Sequence, residues 1–305
     1  MQSSEGAALA ALATARSASE AFRAAAGFLA EAGDEQAQQN ARLFMWYLLD
    51  VSPSDMAMRP DASIGEQGLA TLAGALERRA AGEPVQYICG KAPFRFADLE
   101  CRRGVFIPRP ETEVLVDRAL AAANALLGER DDGLLVADLC CGSGTIAVSM
   151  ASECAHVRVM ASDISSEAVA LTSDNARALG VGDRVDAREG DLFEPMGDAM
   201  FDIVLSNPPY IPTAKIAAMP REVVDFEPMA ALDGGADGLD TFRRIVAGCA
   251  GHLAPGGYLI CELDEDTLDA ACEVCRSAAG IGFDHVEVVR DLAGRDRIIE
   301  ARRSR

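Results

Sequence analysis

The segment "LLVADLCCGSGTIAVSMASE", residues 134–153, joins one apolar run to another through a turn that contains two glycines. The run "LLVADL" predicts a strand, and the run "TIAVSMASE" predicts a helix. Gly142 and Gly144 lie at the start of that helix, where glycine tolerates positive φ and lets a ligand approach the backbone closely. The segment therefore predicts a β–α unit with a ligand site at its turn.

The same alternation of strand and helix continues toward the C-terminus. Further strands are predicted at residues 157–163, 184–189, 201–206 and 257–263. Apolar strands that alternate with helices are typical of a parallel sheet covered on both faces. The last two strands, within residues 284–303, are separated only by a short turn containing glycine, so they are expected to be antiparallel. We therefore predict an α/β fold with a mostly parallel seven-stranded sheet and an antiparallel C-terminal hairpin.

Residues 1–90 predict a small helical domain. They are rich in Ala, Leu, Glu, Gln and Arg, and no strand pattern precedes Tyr87. Apolar residues recur at the spacing i, i+3, i+4, i+7, which indicates a helix with one buried face. The residues with this spacing are Phe44, Tyr47, Leu48 and Val51. Residues 52–63, "SPSDMAMRPDAS", are interpreted as a loop between helices.

A short hairpin is predicted between the helical and the α/β portions. The segment "PFRFADLECRRGVFIP", residues 93–108, alternates apolar and polar residues around Ala97-Asp98, as two short paired strands would. A helix is predicted to follow from Glu111. The predicted organisation is a helical domain at residues 1–90, a β-hairpin linker at 91–110 and a catalytic domain at 111–305.

Composition argues against several classes of function. The chain has 305 residues, of which 48 are acidic and 28 are basic, giving a formal net charge of −20. This balance argues against a general affinity for nucleic-acid phosphates, whose binding depends on Lys and Arg. No run approaches the roughly 20 apolar residues needed to cross a bilayer. We therefore expect neither a stable nucleic-acid partner nor a membrane partner.

The nine cysteines are expected to be reduced thiols in a cytoplasmic protein. Their number is odd, and the first residues lack the basic region of a signal peptide. Cys272 and Cys275 form a C-x-x-C pair, but they lie in a segment with the pattern of an amphipathic helix. We interpret this pair as packing thiols, and no metal site is predicted.

Acidic side chains follow the predicted strands at the edge of the sheet where the glycine turn lies. Asp138 lies near the end of the first strand, and Asp163 ends the next one, where a carboxylate can accept both hydroxyls of a ribose. Asp191, beyond the third strand, could accept from an adenine amino group. These residues predict a nucleotide-like cofactor. The pattern "GSGTIA" at residues 142–147 also satisfies the dinucleotide fingerprint, so by itself it leaves a dehydrogenase open.

The stretch "FDIVLSNPPYIP", residues 201–212, ends an apolar strand on Asn207, Pro208, Pro209 and Tyr210. An amide nitrogen is a poor nucleophile, and its N–H groups need acceptors while it is alkylated. The Asn207 side-chain oxygen and the Pro208 carbonyl provide two acceptors. The prolines stiffen the turn, and Tyr210 offers a flat face on which a planar amide or base can stack. The group therefore suits methyl transfer to a planar nitrogen, which can lose its proton afterwards.

Asn-Pro-Pro-Tyr in this position resembles the signature of S-adenosylmethionine-dependent methyltransferases that act on glutamine amides or on the exocyclic amines of nucleobases. Residues 82–117 resemble the linker and entry hairpin of the peptide chain release factor glutamine methyltransferases, especially "PRPETE" at residues 108–113. The stretch "RDLAGRDRIIEAR", residues 290–302, is similar to the final hairpin of that family. The resemblance covers about residues 82–303. It implies a class I methyltransferase of Rossmann-like fold.

The resemblance implies N5-methylation of the glutamine in the Gly-Gly-Gln motif of bacterial class I release factors. S-adenosylmethionine is the implied donor and S-adenosylhomocysteine the product, and the helical domain is expected to help dock the protein substrate. The implied catalytic and substrate-binding residues are Asn207, Pro208, Pro209 and Tyr210, with the stretch from Arg109 to Glu113 at the border of the pocket. The implied cofactor-binding residues are Asp138, Cys140, Cys141, Gly142, Ser143, Gly144, Asp163, Asp191, Leu192 and Asn207.

The chain departs from the family pattern at several positions. Cys140 and Cys141 stand where glycine and a small hydroxyl residue are usual, and Leu192 stands where an aromatic residue often flanks the adenine. Cysteine is small enough for cofactor binding to be retained. Glu262 is assigned no role, because the glycine and glutamine that commonly follow such an acid are absent. For "PRPETE", the alternative is a helix cap at Thr112 with acidic residues in the first turn.

Three other functions remain open at this point. The first is glutamine methylation in a ribosomal protein, against which the "PRPETE" spelling counts. The second is adenine-N6 methylation of nucleic acid, against which the net charge of −20 counts. The third is a binding module without catalysis. The intact glycines, Asp163 and Asn-Pro-Pro-Tyr argue against that reading.

Overall fold

The computed structural model describes residues 10–129, 132–278 and 280–305. The chain divides into two compact units, Met1–Lys91 and Ala92–Arg305. The helices of the first unit are α1 (Ala18–Glu31), α2 (Ala37–Leu49), α3 (Pro53–Met58), α4 (Glu66–Ala80) and α5 (Val85–Cys89). Phe44 and Met45 of α2 and Leu72 of α4 are fully buried in the core of this unit. The helix predicted from the spacing of Phe44, Tyr47 and Leu48 is therefore confirmed, but Val51 lies beyond it, because α2 ends at Leu49 and Asp50 is left-handed.

The loop predicted at residues 52–63 is wrong for part of its length, because α3 begins at Pro53. The Ser52 hydroxyl accepts a hydrogen bond from Asp55 N at 3.1 Å, and the Asp55 carboxylate accepts one from Ser52 N at 3.3 Å. This reciprocal capping box satisfies backbone donors at the helix start. Pro53 suits the first helical position because its missing N–H would have no intrahelical partner there.

The strands of the described residues are β1 (Lys91–Phe94), β2 (Ala97–Glu100), β3 (Leu134–Leu139), β4 (Val157–Asp163), β5 (Val185–Glu189), β6 (Phe201–Ser206), β7 (Leu253–Glu262), β8 (Phe283–Arg290) and β9 (Asp296–Arg303). β1 and β2 form a two-stranded sheet, and the others form a seven-stranded sheet in the order β5-β4-β3-β6-β7-β9-β8. Adjacent strands within the set β3 to β7 are parallel, whereas β9 is antiparallel to both of its neighbours, β7 and β8. The predicted sheet is confirmed.

Helices cover both faces of the large sheet. The helices after the small hairpin are α6 (Thr112–Leu127), α7 (Thr145–Glu153), α8 (Ser166–Ala178), α9 (Thr213–Ile216), α10 (Arg221–Val224), α11 (Asp240–His252) and α12 (Leu268–Ser277). Those that pack on the sheet are α6, α7, α8, α11 and α12, whereas the short helices α9 and α10 lie in the segment that follows β6. Along β3, Leu134 and Val136 point into one hydrophobic core, while Ala137 and Leu139 point into a second core. Because successive strand residues face opposite sides, a strand buried on both faces has the continuous apolar run observed in the sequence.

The strand order reverses at β3, and this reversal positions the site. The chain passes from β3 through β4 to β5 on one side, and then returns to β6 on the other side of β3. Open α/β sheets bind ligands in the crevice at such a reversal, outside the carboxyl ends of the strands. The residues that follow β3, β4 and β6 therefore converge on one crevice.

The turn of the small hairpin was predicted two residues too late. Ala97 and Asp98 lie inside β2, and the turn is formed at Arg95, which has a φ of 51°. Arg95 N donates to Glu113 Oε1 at 3.0 Å, and Arg95 Nε donates to Glu153 Oε1 at 2.5 Å. These distant partners hold an arginine in a left-handed conformation that its own sequence neighbourhood does not indicate.

Candidate active site

A cavity of about 370 Å³ lies at the carboxyl ends of β3, β4 and β6. The predicted residues that line it are Arg109, Cys140, Cys141, Gly142, Ser143, Asp163, Asp191, Leu192, Asn207, Pro209 and Tyr210. The predicted residues that do not line it are Asp138, Gly144, Pro208 and Glu113. Thr112, which belongs to the Arg109–Glu113 stretch expected at the border of the pocket, also lines the cavity, and so does Arg244, for which the sequence predicts no role.

The turn between β3 and α7 is left-handed at three positions. Cys140, Gly142 and Gly144 have φ values of 59°, 54° and 78°. A Cβ added at Gly144 would lie 2.8 Å from Thr172 Cγ2, so this position requires glycine for both its conformation and its space. The left-handed conformation costs a residue such as Cys140 about 1–2 kcal/mol. Cys140 therefore adopts the left-handed conformation that is expected of the glycine usual at this position.

Asp163 connects the end of β4 to this turn. Its Oδ2 accepts a hydrogen bond from Gly142 N at 2.9 Å, and its Oδ1 accepts one from Ser165 N at 2.9 Å. Burial raises the pKa of the Asp163 carboxyl, and the backbone hydrogen bonds oppose that rise. Each carboxylate oxygen has a second lone pair. Asp163 can therefore hold the turn and still accept from hydroxyl groups of a ligand.

Asp138 lies beneath the turn rather than at the cavity surface. It is fully buried, and its Oδ2 accepts a hydrogen bond from Ala147 N at 3.0 Å in the first turn of α7. Its Oδ1 has no hydrogen-bond partner among the described residues. Burial is the main cause that raises the pKa of Asp138 to about 8. The structure therefore gives Asp138 a supporting contact at the start of the helix.

Asp191 and Leu192 form the part of the cavity that follows β5. Asp191 Oδ2 accepts from Arg244 Nη2 at 2.6 Å, which leaves the other carboxylate oxygen available. Leu192 has a φ of 51°, and its carbonyl accepts from the Ser162 hydroxyl at 2.8 Å. Arg244 is 53 residues from Asp191 in the chain, so no local pattern indicated the pair.

Asn207 and Thr112 meet inside the cavity. Asn207 Nδ2 donates to Thr112 Oγ1 at 3.2 Å, and Thr112 Oγ1 donates to Glu262 Oε2 at 2.7 Å. The residue that precedes α6 as its N-cap is Glu111, and it makes no side-chain capping bond. The interpretation of Thr112 as a helix cap is therefore wrong. Its hydroxyl instead donates to Glu262, at the end of β7, and accepts from Asn207, which follows β6.

Glu262 was assigned no role from the sequence, but it contacts this group directly. It ends β7 and is 1% exposed, and its Oε1 accepts a long hydrogen bond from the Tyr210 hydroxyl at 3.5 Å. Burial is the main cause that raises the pKa of Glu262 to about 7, and burial also raises the pKa of Tyr210. A carboxylate at the end of the apolar strand "GYLICEL" is the signal that could have identified it.

Arg109 and Glu113 lie close in sequence but have different surroundings. Arg109 pairs with the buried Glu227, and its guanidinium lies 4.7 Å from the centroid of the Phe106 ring. Glu113 accepts from Arg95 N in the small hairpin. The structure therefore places Arg109 at the predicted border of the cavity, whereas Glu113 supports the hairpin.

Cys272 and Cys275 lie in α12 and are buried, and burial raises the pKa of both thiols. Within residues 10–129, 132–278 and 280–305, no group of three or more His, Cys, Asp or Glu side chains could hold a metal ion. Among the same residues, no helix has both the length and the apolar character needed to span a membrane.

Comparison with known proteins identifies relatives over most of the chain. The family model "PrmC N-terminal domain" matches residues 20–90, and "Methyltransferase small domain" matches residues 116–224. The release factor glutamine methyltransferase of Geobacter sulfurreducens is 39% identical over 276 residues, which cover 90% of this chain and 93% of that protein. The protein of the same name from Cereibacter sphaeroides is 36% identical over 285 residues, which cover 93% of this chain and 98% of that protein. This chain belongs to the release factor glutamine methyltransferase family.

Proposed function

We propose that this protein transfers a methyl group from S-adenosylmethionine to the side-chain nitrogen of the glutamine in the Gly-Gly-Gln motif of bacterial class I release factors. The observation that carries the proposal is the orientation of Asn207. Its Nδ2 is bound to Thr112, so its Oδ1 is the acceptor that remains for a substrate amide. The same cavity is lined by Gly142 and Asp163, which suit a nucleoside cofactor.

The residues present fit such a cofactor. Asp163 is held by two backbone N–H groups and has lone pairs left for ribose hydroxyls. Asp191 has one carboxylate oxygen beyond its bond to Arg244, suited to an amino group. The left-handed turn at Gly142 and Gly144 lets a ligand approach the backbone. When bound, S-adenosylmethionine supplies an electrophilic methyl group.

The residues after β6 fit a planar amide. Asn207 Oδ1 would accept one N–H of the glutamine amide. The Pro208 carbonyl is the proposed second acceptor, although Pro208 does not line the cavity of the free protein; two such bonds would fix the plane of the amide relative to the donor. The Tyr210 ring lines the cavity beside them and offers a stacking face. Transfer would form a bond between the amide nitrogen and the methyl carbon as the S–CH₃ bond of the donor breaks. The electron pair of that bond would stay on sulfur, so that S-adenosylhomocysteine leaves, and the nitrogen would then release its proton to water. No base is needed before the transfer, so Glu262 is not required as one.

A labelling experiment tests the proposal. The protein is incubated with radiolabelled S-adenosylmethionine and a bacterial class I release factor, with the same factor carrying Gln→Ala in its Gly-Gly-Gln motif, or with duplex DNA. Label is expected in the unmodified factor alone. Label that persists in the Gln→Ala factor, or that appears in DNA, would contradict the proposed substrate. We further propose that the reaction takes place in the cytoplasm, where cysteines such as the nine free thiols of this chain remain reduced.

A further inference from the structure

Two neighbouring groups of the Asn-Pro-Pro-Tyr turn depend on one buried carboxylate. Thr112, which binds Asn207, donates to one oxygen of Glu262, and Tyr210 donates to the other oxygen. β7, which ends at Glu262, is the parallel neighbour of β6, which precedes the turn. The carboxylate is thus carried by the sheet itself rather than by a loop.

The number of protons available for the hydrogen bonds between Asn207, Thr112 and Glu262 determines the orientation of the Asn207 amide. A threonine hydroxyl has one proton, and an ionised carboxylate can only accept. When Glu262 is ionised, the Thr112 proton is therefore committed to Glu262, and the Thr112 oxygen can only accept from Asn207. Asn207 must then present its NH₂ group to Thr112. Its Oδ1 is consequently directed away from Thr112 and remains available as an acceptor.

We propose that Thr112 and Glu262 are positioning residues, which fix the Asn207 amide with its oxygen free for the substrate and steady the Tyr210 ring. Neither residue needs to touch the methyl-accepting amide. The inference rests on the proposed function, since it assigns the acceptor role of Asn207 Oδ1 to two residues outside the Asn-Pro-Pro-Tyr turn. The hydrogen bond from Asn207 Nδ2 to Thr112 is present in the free protein, so it can be measured without any substrate.

The first experiment measures the contact itself. The chain has four asparagines, Asn40, Asn124, Asn175 and Asn207, so ¹⁵N-asparagine labelling gives a small set of side-chain amide signals. Asn207→Ala identifies the Asn207 signal. Exchange of its Nδ2 protons with water is expected to become at least about tenfold faster in Thr112→Val and to stay near wild type in Thr112→Ser. Asn175, whose Nδ2 donates to Ser143 O at 2.9 Å, is the internal control.

The second experiment measures the consequence for transfer. Thr112→Val is expected to lower kcat by at least about tenfold, because small displacements of an aligned group have large effects on rate. Thr112→Ser should retain kcat within about threefold of wild type. The Kd for S-adenosylhomocysteine, measured by calorimetry, should stay unchanged in both variants and shows that they are folded. Thr112→Ala replaces the valine variant in both experiments if valine prevents folding.

Equal exchange of the Asn207 amide in wild type and Thr112→Val would overturn the inference, and so would a faster exchange with no loss of kcat. A Thr112→Ser variant as slow as Thr112→Val would overturn it as well, because the hydroxyl would then be irrelevant. Failure of the proposed function gives a different result. The wild-type protein would then leave the release factor unlabelled, while the exchange comparison would still support or refute the positioning contact.

Discussion

Methyl transfer is expected to slow as the pH is lowered below 7, because a single buried carboxyl group, that of Glu262, becomes protonated. Burial raises the pKa of Glu262 from its ordinary value of 4.5 to about 7. A protonated Glu262 can donate to Thr112, and the Thr112 proton is then free to bind Asn207 Oδ1. That bond would occupy the acceptor that the substrate amide needs. The groups that act on the Glu262 charge are Thr112, Tyr210, Arg297 and Glu111.

The expected magnitude follows from the pKa. A carboxyl group with a pKa of about 7 is ionised to roughly 10% at pH 6 and roughly 90% at pH 8, so kcat should rise about tenfold over this interval. The comparison is made with Glu262→Gln, whose oxygen can accept from Thr112 but whose side chain does not titrate. The ratio of wild-type to variant kcat removes the contribution of other groups, such as Asp138 with its pKa of about 8.

The Glu262 carboxyl group is expected to affect stability in the opposite direction, so that the free energy of unfolding falls as the pH rises. Because the pKa of Glu262 is raised in the folded protein, folding favours its protonated form. That stabilisation is fully present below pH 4.5 and is lost as the pH rises through about 7. From pH 5 to pH 8, the free energy of unfolding of wild type should therefore fall by about 2–3 kcal/mol relative to Glu262→Gln. Urea denaturation at both pH values measures this difference.

Either of two results would contradict this role of Glu262. The first is a kcat ratio that stays within twofold between pH 6 and pH 8 at saturating cofactor and release factor. The second is a difference in unfolding free energy between wild type and Glu262→Gln that does not change with pH. If both pH trends are observed, the ionised Glu262 carboxylate stabilises the orientation of Asn207 and at the same time destabilises the fold.

Three further substitutions test other parts of the site. Asn207→Ala should lower kcat at least about 100-fold and leave the cofactor Kd nearly unchanged in calorimetry; a large loss of cofactor binding would contradict its assigned role. Asp163→Ala should weaken cofactor binding by about 10- to 100-fold in the same assay, because it removes charge-assisted hydrogen bonds; an unchanged Kd would contradict this. Gly144→Ala should cost about 1–3 kcal/mol more in thermal denaturation than Gly180→Ala. Gly180 has a similar φ of +71° but no atom near the added Cβ, so equal costs would exclude the predicted clash with Thr172.

The sheet could be predicted because its signal is local. β3, β4 and β6 coincide with the predominantly apolar runs at residues 134–139, 157–163 and 201–206, since strands covered on both faces are rich in apolar side chains. The antiparallel pairing of β8 and β9 followed from the short connection between them. The resemblance to the methyltransferase family is confirmed by relatives that cover about nine tenths of the chain.

The errors come from contacts between residues that are far apart in the chain. The hairpin turn depends on Arg95 binding Glu113 and Glu153, which lie 18 and 58 residues away. The role of Glu262 depends on Thr112, which is 150 residues away. A sequence pattern shows which residue types are present, but it does not show which of them the sheet brings together. The short helix after Ser52 is different, because its capping pattern, Ser52 with Pro53 and Asp55, is local and can be read from the sequence alone.

The separate origins of the site loops have a consequence for how the family can diversify. Residues suited to the cofactor follow β3, β4 and β5, whereas the acceptor turn follows β6 and is steadied from β7 and α6. Mutations that reshape the acceptor turn can therefore accumulate with little effect on the cofactor loops. One donor-binding framework can in this way be inherited unchanged while selection explores new acceptors, which also makes residues 207–212 the first targets for redesign of substrate choice.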